Sequence, residues 1–288
     1  MARMQEELNN LYNRTIHQAV GRSHHQWRDT SVRISEQWAA WHSSTYKAFC
    51  ANFGSHSTPS IREHRNWNDE VLQPIRDSLS SHWEAILNWL TSQVQSISEN
   101  IASAFQEICS EIQAHIQLAP HALQNMVRSM NSRRQCIQDH VQNSLWSLFD
   151  KTELLQRDML HGHPSSFISG LMHSAYISCQ NEFGKGSDRR RKTIIRTQLQ
   201  DSRFFPKHAH VTRVEYNKVL SECFDTLQGR VNQEIESLIR DFHSVVAGEG
   251  QIHEAQQAPE LARALGERVE RTEGALNKTY RVLKELRN

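Results

Sequence analysis

The apolar residues between Trp83 and Ile116 recur at steps of three and four along the chain. This spacing places them on one face of a single α-helix. A long helix with one apolar face is not stable alone in water, so its stripe has to be buried against other helices. The stripe therefore predicts that this chain folds as a helical bundle.

Further stripes with the same spacing follow in segments 120–160, 165–183 and 211–247. Between the last two we predict a basic helix that begins at Ser187 or Asp188, either of which can cap it, and ends near Phe204-Phe205-Pro206. The stripe in 211–247 starts with Val214 and Val219. The breaks between segments fall at Pro120, at His161-Gly162-His163-Pro164 and at Gly184-Lys185-Gly186, where proline or glycine interrupts helical backbone. Only 11 glycines and 6 prolines occur among 288 residues, so the chain has few places to turn. We predict an all-α fold, an elongated bundle of long amphipathic helices.

Tryptophan concentrates before the long helices, and this predicts a separate N-terminal element. Six of the seven tryptophans lie between residues 27 and 89. We predict a Trp-rich helical cap at 1–80 with a loop at 53–66. The long-helix bundle follows at 81–247, a polar linker at 248–259 and a terminal heptad helix at 260–288.

Two motifs in the cap carry a resemblance to a known family. The first runs Trp38-Ala-Ala-Trp41-His42-Ser-Ser-Thr45-Tyr46-Lys47-Ala48-Phe49-Cys50-Ala-Asn52-Phe53-Gly54, and the second is Asn66-Trp67-Asn68. These motifs resemble the C-terminal helical region of fungal dynamin-type GTPases similar to nuclear GTPase SLIP-GC. The resemblance spans about 40 residues and implies a stalk-like role next to a GTPase domain. For Trp41, Tyr46, Phe49 and Trp67 it implies aromatic packing only.

The GTPase signature itself is missing, which predicts that this chain is not an enzyme. Gly184-Lys185-Gly186-Ser187 lacks the upstream glycine of a phosphate-binding loop and has glycine in place of the hydroxyl residue after lysine. No G-x-S-x-G elbow occurs. His42, Cys50 and His56 lack the short paired spacing of structural zinc ligands. We expect no catalytic residue, no cofactor and no metal.

The strongest local charge lies between residues 185 and 207, where eight basic residues face two acidic ones although the whole chain carries only +1. The basic patch is formed by Lys185, Arg189, Arg190, Arg191, Lys192 and Arg196. An import signal, a nucleic-acid contact and a solvated helix face all remain open interpretations of it. Lipid contact ranks lower, because the neighbouring apolar face is short.

Partners and location follow from the remaining features. The terminal repeat predicts self-association or packing on the bundle through Leu261, Leu265, Val269, Leu276 and Leu283. Five scattered cysteines indicate reduced thiols in an intracellular compartment, the nucleus or the cytoplasm. No stretch is long and apolar enough to span a membrane. The leading hypothesis is a non-catalytic interaction module that binds protein, including a GTPase domain or its own copies. The alternative is a nuclear or nucleic-acid-associated adaptor that uses the 185–207 surface.

Overall fold

The prediction of an all-α fold is confirmed. A computed structural model describes residues 2–58, 61–118, 120–247, 263, 266–268 and 270–271. In chain order its helices are α1 (Ala2–Tyr12), α2 (Gln18–Ala39), α3 (Ser43–Ala51), α4 (Trp67–Ala114), α5 (Pro120–Leu160), α6 (Phe167–Gln180), α7 (Ser187–Gln200) and α8 (Phe204–Ala247). A π-helical turn, Asn13–His17, links α1 to α2, and a 3-10 turn, Ile116–Leu118, follows α4. None of the described helices is long and apolar enough to cross a lipid bilayer.

Some of the predicted helix boundaries are confirmed and others are wrong, since α7 ends at Gln200 instead of near Pro206 and α8 begins at Phe204 instead of at 211. Helix α5 begins at Pro120, because proline lacks the N–H that a first helical turn leaves unpaired. It ends at Leu160, directly before the Gly162 and Pro164 break. Helix α7 begins at Ser187, one of the two predicted starts, but the expected side-chain cap is wrong, because Gly186 precedes the helix in the left-handed conformation and no side chain caps it.

Helix α4 begins sixteen residues earlier than the apolar stripe predicts, at Trp67 instead of Trp83. The Asn66 side chain caps this start, since its Oδ1 accepts hydrogen bonds from the backbone N–H groups of Asn68 (3.0 Å) and Asp69 (3.4 Å). Asp69 and Glu70 then place negative charge in the first turn, where the helix dipole favours it. An asparagine followed by acidic residues is a signal that the sequence already contained.

The loop predicted at 53–66 is wrong, because most of its described residues belong to two β-strands. Strand β1 (Ser55–Thr58) pairs antiparallel with β2 (Ile61–Asn66), with Ser55 opposite Asn66. The segment has no alternation of apolar and polar residues, so the sequence pattern does not predict strands there. The strand pairing is supported by a hydrogen bond between the residues that flank it. The N–H of Trp67, which follows β2, donates to the carbonyl of Gly54, which precedes β1, at 2.8 Å.

The described residues form two compact units. Unit 1 takes described residues from 1–6, 90–148 and 221–288, and unit 2 takes them from 7–89 and 149–220. The domain division predicted from the sequence, with a boundary at residue 80, stays a prediction. The linker 248–259 lies outside the described residues, as do Leu261, Leu265, Val269, Leu276 and Leu283.

Unit 1 packs α4, α5 and α8 around a core of sulfur-containing and aliphatic side chains. The core residues are Cys109, Ile112, Ala122, Leu123, Met126 and Met130, against which Leu238 and Phe242 pack. Beside this core, Arg133 of α5 binds Glu234 at 3.0 Å and Asp241 at 3.4 Å, both on α8. Asp241 also accepts a 2.5 Å hydrogen bond from Ser129. These polar contacts fix the register of α5 against α8 inside the unit.

Unit 2 has an aromatic core to which α1, α4 and α8 contribute. Tyr12 stacks on Tyr216 with ring centroids 4.4 Å apart, and its edge meets Trp83 at 6.0 Å. The predicted position of Val214 on the buried stripe is wrong, because its side chain is 49% exposed. Tyr216 and Leu220 are buried in its place. The buried face of α8 is thus rotated from the one that aliphatic residues alone indicate.

His208 is a buried histidine in unit 2 and makes the stability of the fold depend on pH. Its side chain is 1% exposed, and the edge of its ring lies near Phe167. Burial lowers its pKa from the ordinary 6.5 to about 4. Between these values the unfolded chain binds a proton that the folded chain does not, so stability falls as pH decreases from 6.5 towards 4. At about pH 4.5 we expect His208 to cost about 2.5 kcal/mol of unfolding free energy relative to pH 8.

Urea denaturation of the wild type and of His208→Leu at both pH values measures this effect. The variant should lose less stability between the two pH values, by about 2.5 kcal/mol, because the apolar side chain cannot bind the proton. The comparison cancels the contributions of the other histidines, which both proteins share. An equal loss in the two proteins would show that His208 is not the responsible group.

Candidate functional site

The four aromatic residues of the family motif meet at Trp67, which is fully buried at the start of α4. Its ring stacks on Phe49 of α3 at 5.0 Å, and Tyr46 and Trp41 lie tilted against it at 4.8 and 5.8 Å. Trp38 of α2 stacks on the ring at 4.5 Å. Offset and tilted ring pairs contribute beyond the area that they bury. We call the cluster formed by Trp38, Trp41, Tyr46, Phe49 and Trp67 the Trp67 hub. It joins α2, α3 and α4 within unit 2.

A charged pair closes the edge of the hub. Arg65 of β2 binds Glu70 through two hydrogen bonds of 2.8 and 2.6 Å, the two-pronged geometry that makes such pairs strong. Glu70 also accepts a hydrogen bond from the Trp38 indole N–H at 2.8 Å. The Arg65 guanidinium lies 4.9 Å from the centre of the Trp41 ring. All of these polar groups have partners inside unit 2.

The two asparagines that flank Trp67 tie the hub to α6 and to the turn before it. The Asn66 amide donates to the Gly162 carbonyl at 2.6 Å. The Asn68 amide donates to the Phe53 carbonyl, and its oxygen accepts from the Tyr176 hydroxyl at 2.9 Å. Both asparagines of the Asn-Trp-Asn motif therefore make structural hydrogen bonds.

Residues considered as metal ligands have other roles in unit 2. His42 caps α3 through Ser44, and His56 packs edge-on against Phe49. The pKa of the Cys50 thiol is raised, first by a hydrogen bond with Cys179 and to a smaller extent by burial. A thiol with a raised pKa is a poor nucleophile and a poor metal ligand. Within the described part of the chain, no three His, Cys, Asp or Glu side chains are arranged to hold a metal ion.

The predicted basic patch requires a correction, because Arg191 is not on the surface. Its side chain is 4% exposed. The guanidinium donates to the carbonyl of Cys179 at 3.0 Å, to the carbonyl of Glu182 and to the Ser187 hydroxyl at 3.3 Å. These carbonyls lie at the C-terminal end of α6, where a cation is favoured by the helix dipole. Arg191 is a structural cap of α6.

Most of the other cations in the tract are also engaged. Arg190 binds Glu182 at 2.5 Å and donates to two carbonyls of the loop that follows α6. Lys192 pairs with Asp188 at 2.7 Å, and Arg196 pairs with Glu36 at 2.9 Å. Among the described residues, Lys185 and Arg189 are the exposed cations of the predicted patch that form no ion pair.

The loop between α6 and α7 displays an aromatic side chain, Phe183, close in sequence to these two cations. Phe183 is 70% exposed, the largest exposure of any large apolar side chain in the described ranges. Gly184 and Gly186 both adopt positive φ, at +75° and +81°, so the loop needs glycine at these two positions. We call the group formed by Phe183, Lys185 and Arg189 the Phe183 surface.

Comparison with known proteins places these features in one family. Residues 22–205, well over half of the chain, match the family described as Domain of unknown function (DUF7605). The chain belongs to the DUF7605 family. No curated protein and no solved structure matches it.

The DUF7605 match extends from α2 to the first residues of α8, so it includes both the Trp67 hub and the Phe183 surface. The sequence pattern singled out the basic tract but not Phe183. Phe183 lies four residues after Cys179, so the apolar spacing of segment 165–183 predicts that it is buried. Helix α6 ends at Gln180, before Phe183, and the exposure of this side chain therefore depends on the loop.

Proposed function

We propose that this DUF7605 chain is a non-catalytic helical module that acts by binding a protein partner. The observation that carries the proposal is the exposure of Phe183 on a loop fixed by Arg190 and Arg191. Aromatic residues that lose water contact on association contribute strongly to protein interfaces. A rigid loop also lowers the entropy that binding costs.

The polar chemistry of unit 2 supports a structural and not a catalytic role. The Glu70 carboxylate accepts from Arg65 and Trp38, and His42 caps a helix. His208 is buried away from solvent, and its lowered pKa keeps it neutral near pH 7. The resemblance to the helical region of SLIP-GC-like GTPases supports a stalk-like setting, in which the partner is a GTPase domain or another copy of the chain.

The alternative, an adaptor for nucleic acid, finds weaker support in the Phe183 surface. Each phosphate neutralised by a cation contributes about −0.9 to the slope of log K against log salt. Two unpaired cations would give a slope of only about −2, which corresponds to weak binding. An import receptor that binds residues 189–192 as an extended basic peptide would also require α7 to unfold, because the Arg191 side chain is buried in the folded chain.

Photo-crosslinking in cells of the source organism tests the proposed function. We expect benzoyl-phenylalanine at position 183 to form a covalent adduct with a protein on irradiation, because position 183 lies in the contact. The same label at position 214 is the matched control, since Val214 is an exposed apolar residue of unit 2 outside the loop. A differently tagged second copy identifies self-association. Equal labelling at both positions, or no protein adduct at 183, would contradict the proposal.

A further inference from the structure

We infer that the Phe183 surface receives an acidic protein segment that covers Phe183 with its own apolar side chains. The inference rests on the proposed function and adds the chemistry of the partner to it. The inference is based on the positive charges of the loop that form no ion pair with described residues.

The acids closest in sequence to Phe183 are already neutralised. Glu182 is bound by Arg190 at 2.5 Å, and Asp188 is bound by Lys192 at 2.7 Å. Lys185 and Arg189 form no ion pair with a described residue, and both are exposed. The loop therefore presents two uncompensated positive charges, and carboxylates are the protein groups complementary to them.

The loop is held in the shape that displays Phe183. Arg190 donates to the carbonyl of Phe183 at 2.8 Å and to that of Lys185 at 3.1 Å. Arg191 holds the carbonyl of Glu182 on the other side of Phe183. These bonds hold the backbone on both sides of Phe183, so a partner has to order only the side chain and not the loop. Such a preformed aromatic flanked by charge is typical of a binding surface with an apolar centre and a polar rim.

The number of charges favours a protein partner over an anionic membrane. Cytoplasmic segments that bind acidic lipids typically cluster about four to eight basic residues. The Phe183 surface has two unpaired cations and one aromatic side chain. Its charge and apolar area match a short peptide segment better than a membrane surface.

Selection of displayed random peptides of about twelve residues on the purified full-length chain tests the partner class. We expect the enriched peptides to combine Asp or Glu with at least one aromatic or aliphatic residue. Fluorescence anisotropy then measures their affinity. Phe183→Ser should weaken binding at least about tenfold, because the apolar centre of the contact is lost. Lys185→Glu combined with Arg189→Glu should weaken it by about tenfold or more, and Lys-substituted peptides should restore binding to this variant.

Two matched variants control for general effects of surface substitution. Val214→Ser removes an exposed apolar side chain and Lys218→Glu reverses an exposed charge, both on α8 in unit 2. Both should bind the peptides as the wild type does, and thermal melting verifies that all variants are folded. Enrichment without acidic residues, or binding that ignores the Phe183 and charge variants, would overturn the inference.

Vesicles of phosphatidylserine and phosphatidylcholine provide the opposing probe. Sedimentation of the wild-type chain with these vesicles, lost in Phe183→Ser, would overturn the inference in favour of a membrane surface. The two proposals fail separately. If position 183 forms a protein adduct but the selected peptides are not acidic, only the inference of an acidic partner is overturned. If position 183 forms no protein adduct, the proposed function itself is overturned.

Discussion

Replacement of Gly162 by alanine should cost more than about 3 kcal/mol of unfolding free energy or prevent folding. A Cβ atom at this position would lie 2.2 Å from the backbone N of Asp69 and 2.6 Å from the carbonyl carbon of Asn68. Both contacts are with main chain at the start of α4, which cannot rotate away as a side chain can. Any displacement also breaks the hydrogen bonds from Gly162 N–H to Asp69 (3.1 Å) and from Asn66 to the Gly162 carbonyl.

Gly170→Ala is the matched control for this prediction. Gly170 lies on the exposed side of α6, and an added Cβ would meet no atom within 4 Å. Alanine there should stabilise the chain by about 0.5–1 kcal/mol, because glycine is the more costly residue within a helix. Chemical denaturation of the three proteins gives the comparison. If Gly162→Ala were as stable as Gly170→Ala, the close approach of the turn to α4 would be incorrect.

Arg191→Met should destabilise the chain by about 3 kcal/mol, although it removes a charge from a strongly basic tract. Methionine retains much of the buried volume but removes the charged donor from the carbonyls of Cys179 and Glu182, of which the Cys179 carbonyl keeps only backbone N–H donors. Buried acceptors that lose a charged hydrogen-bond partner carry the full cost of their lost hydration. The end of α6 and the loop displaying Phe183 should show the greatest increase in amide hydrogen exchange.

Arg189→Met on the same helix separates this effect from the loss of charge. Arg189 is exposed and forms no ion pair with any described residue, so its replacement should change stability by no more than about 0.5 kcal/mol. Urea denaturation of both variants measures the difference. Equal stability of the two variants would mean that Arg191 does not cap α6.

The helices could be predicted because each depends on residues close in sequence. The three-and-four spacing from Trp83 onward, Pro120 at the start of α5 and the break at Gly162 and Pro164 each act within one or two helical turns. The Asn66 cap is local as well, and it was missed because the apolar stripe, and not capping, set the predicted start of α4. Local signals of this kind establish which segments are helical.

The candidate site depends instead on contacts between residues far apart in sequence. Helical periodicity places Arg191 on the same face of α7 as the buried Ile195 and Leu199, but only the carbonyls at the end of α6 provide partners for its guanidinium there. The Asn66 and Gly162 hydrogen bond joins positions 96 residues apart, and no local pattern encodes it. The sequence by itself determined the helical class, the helix ends at Pro120 and Leu160, and the excess of positive charge. Tertiary structure alone decided which of those charges remain free and that Phe183 is exposed, because burial and hydrogen bonding are properties of the packed chain.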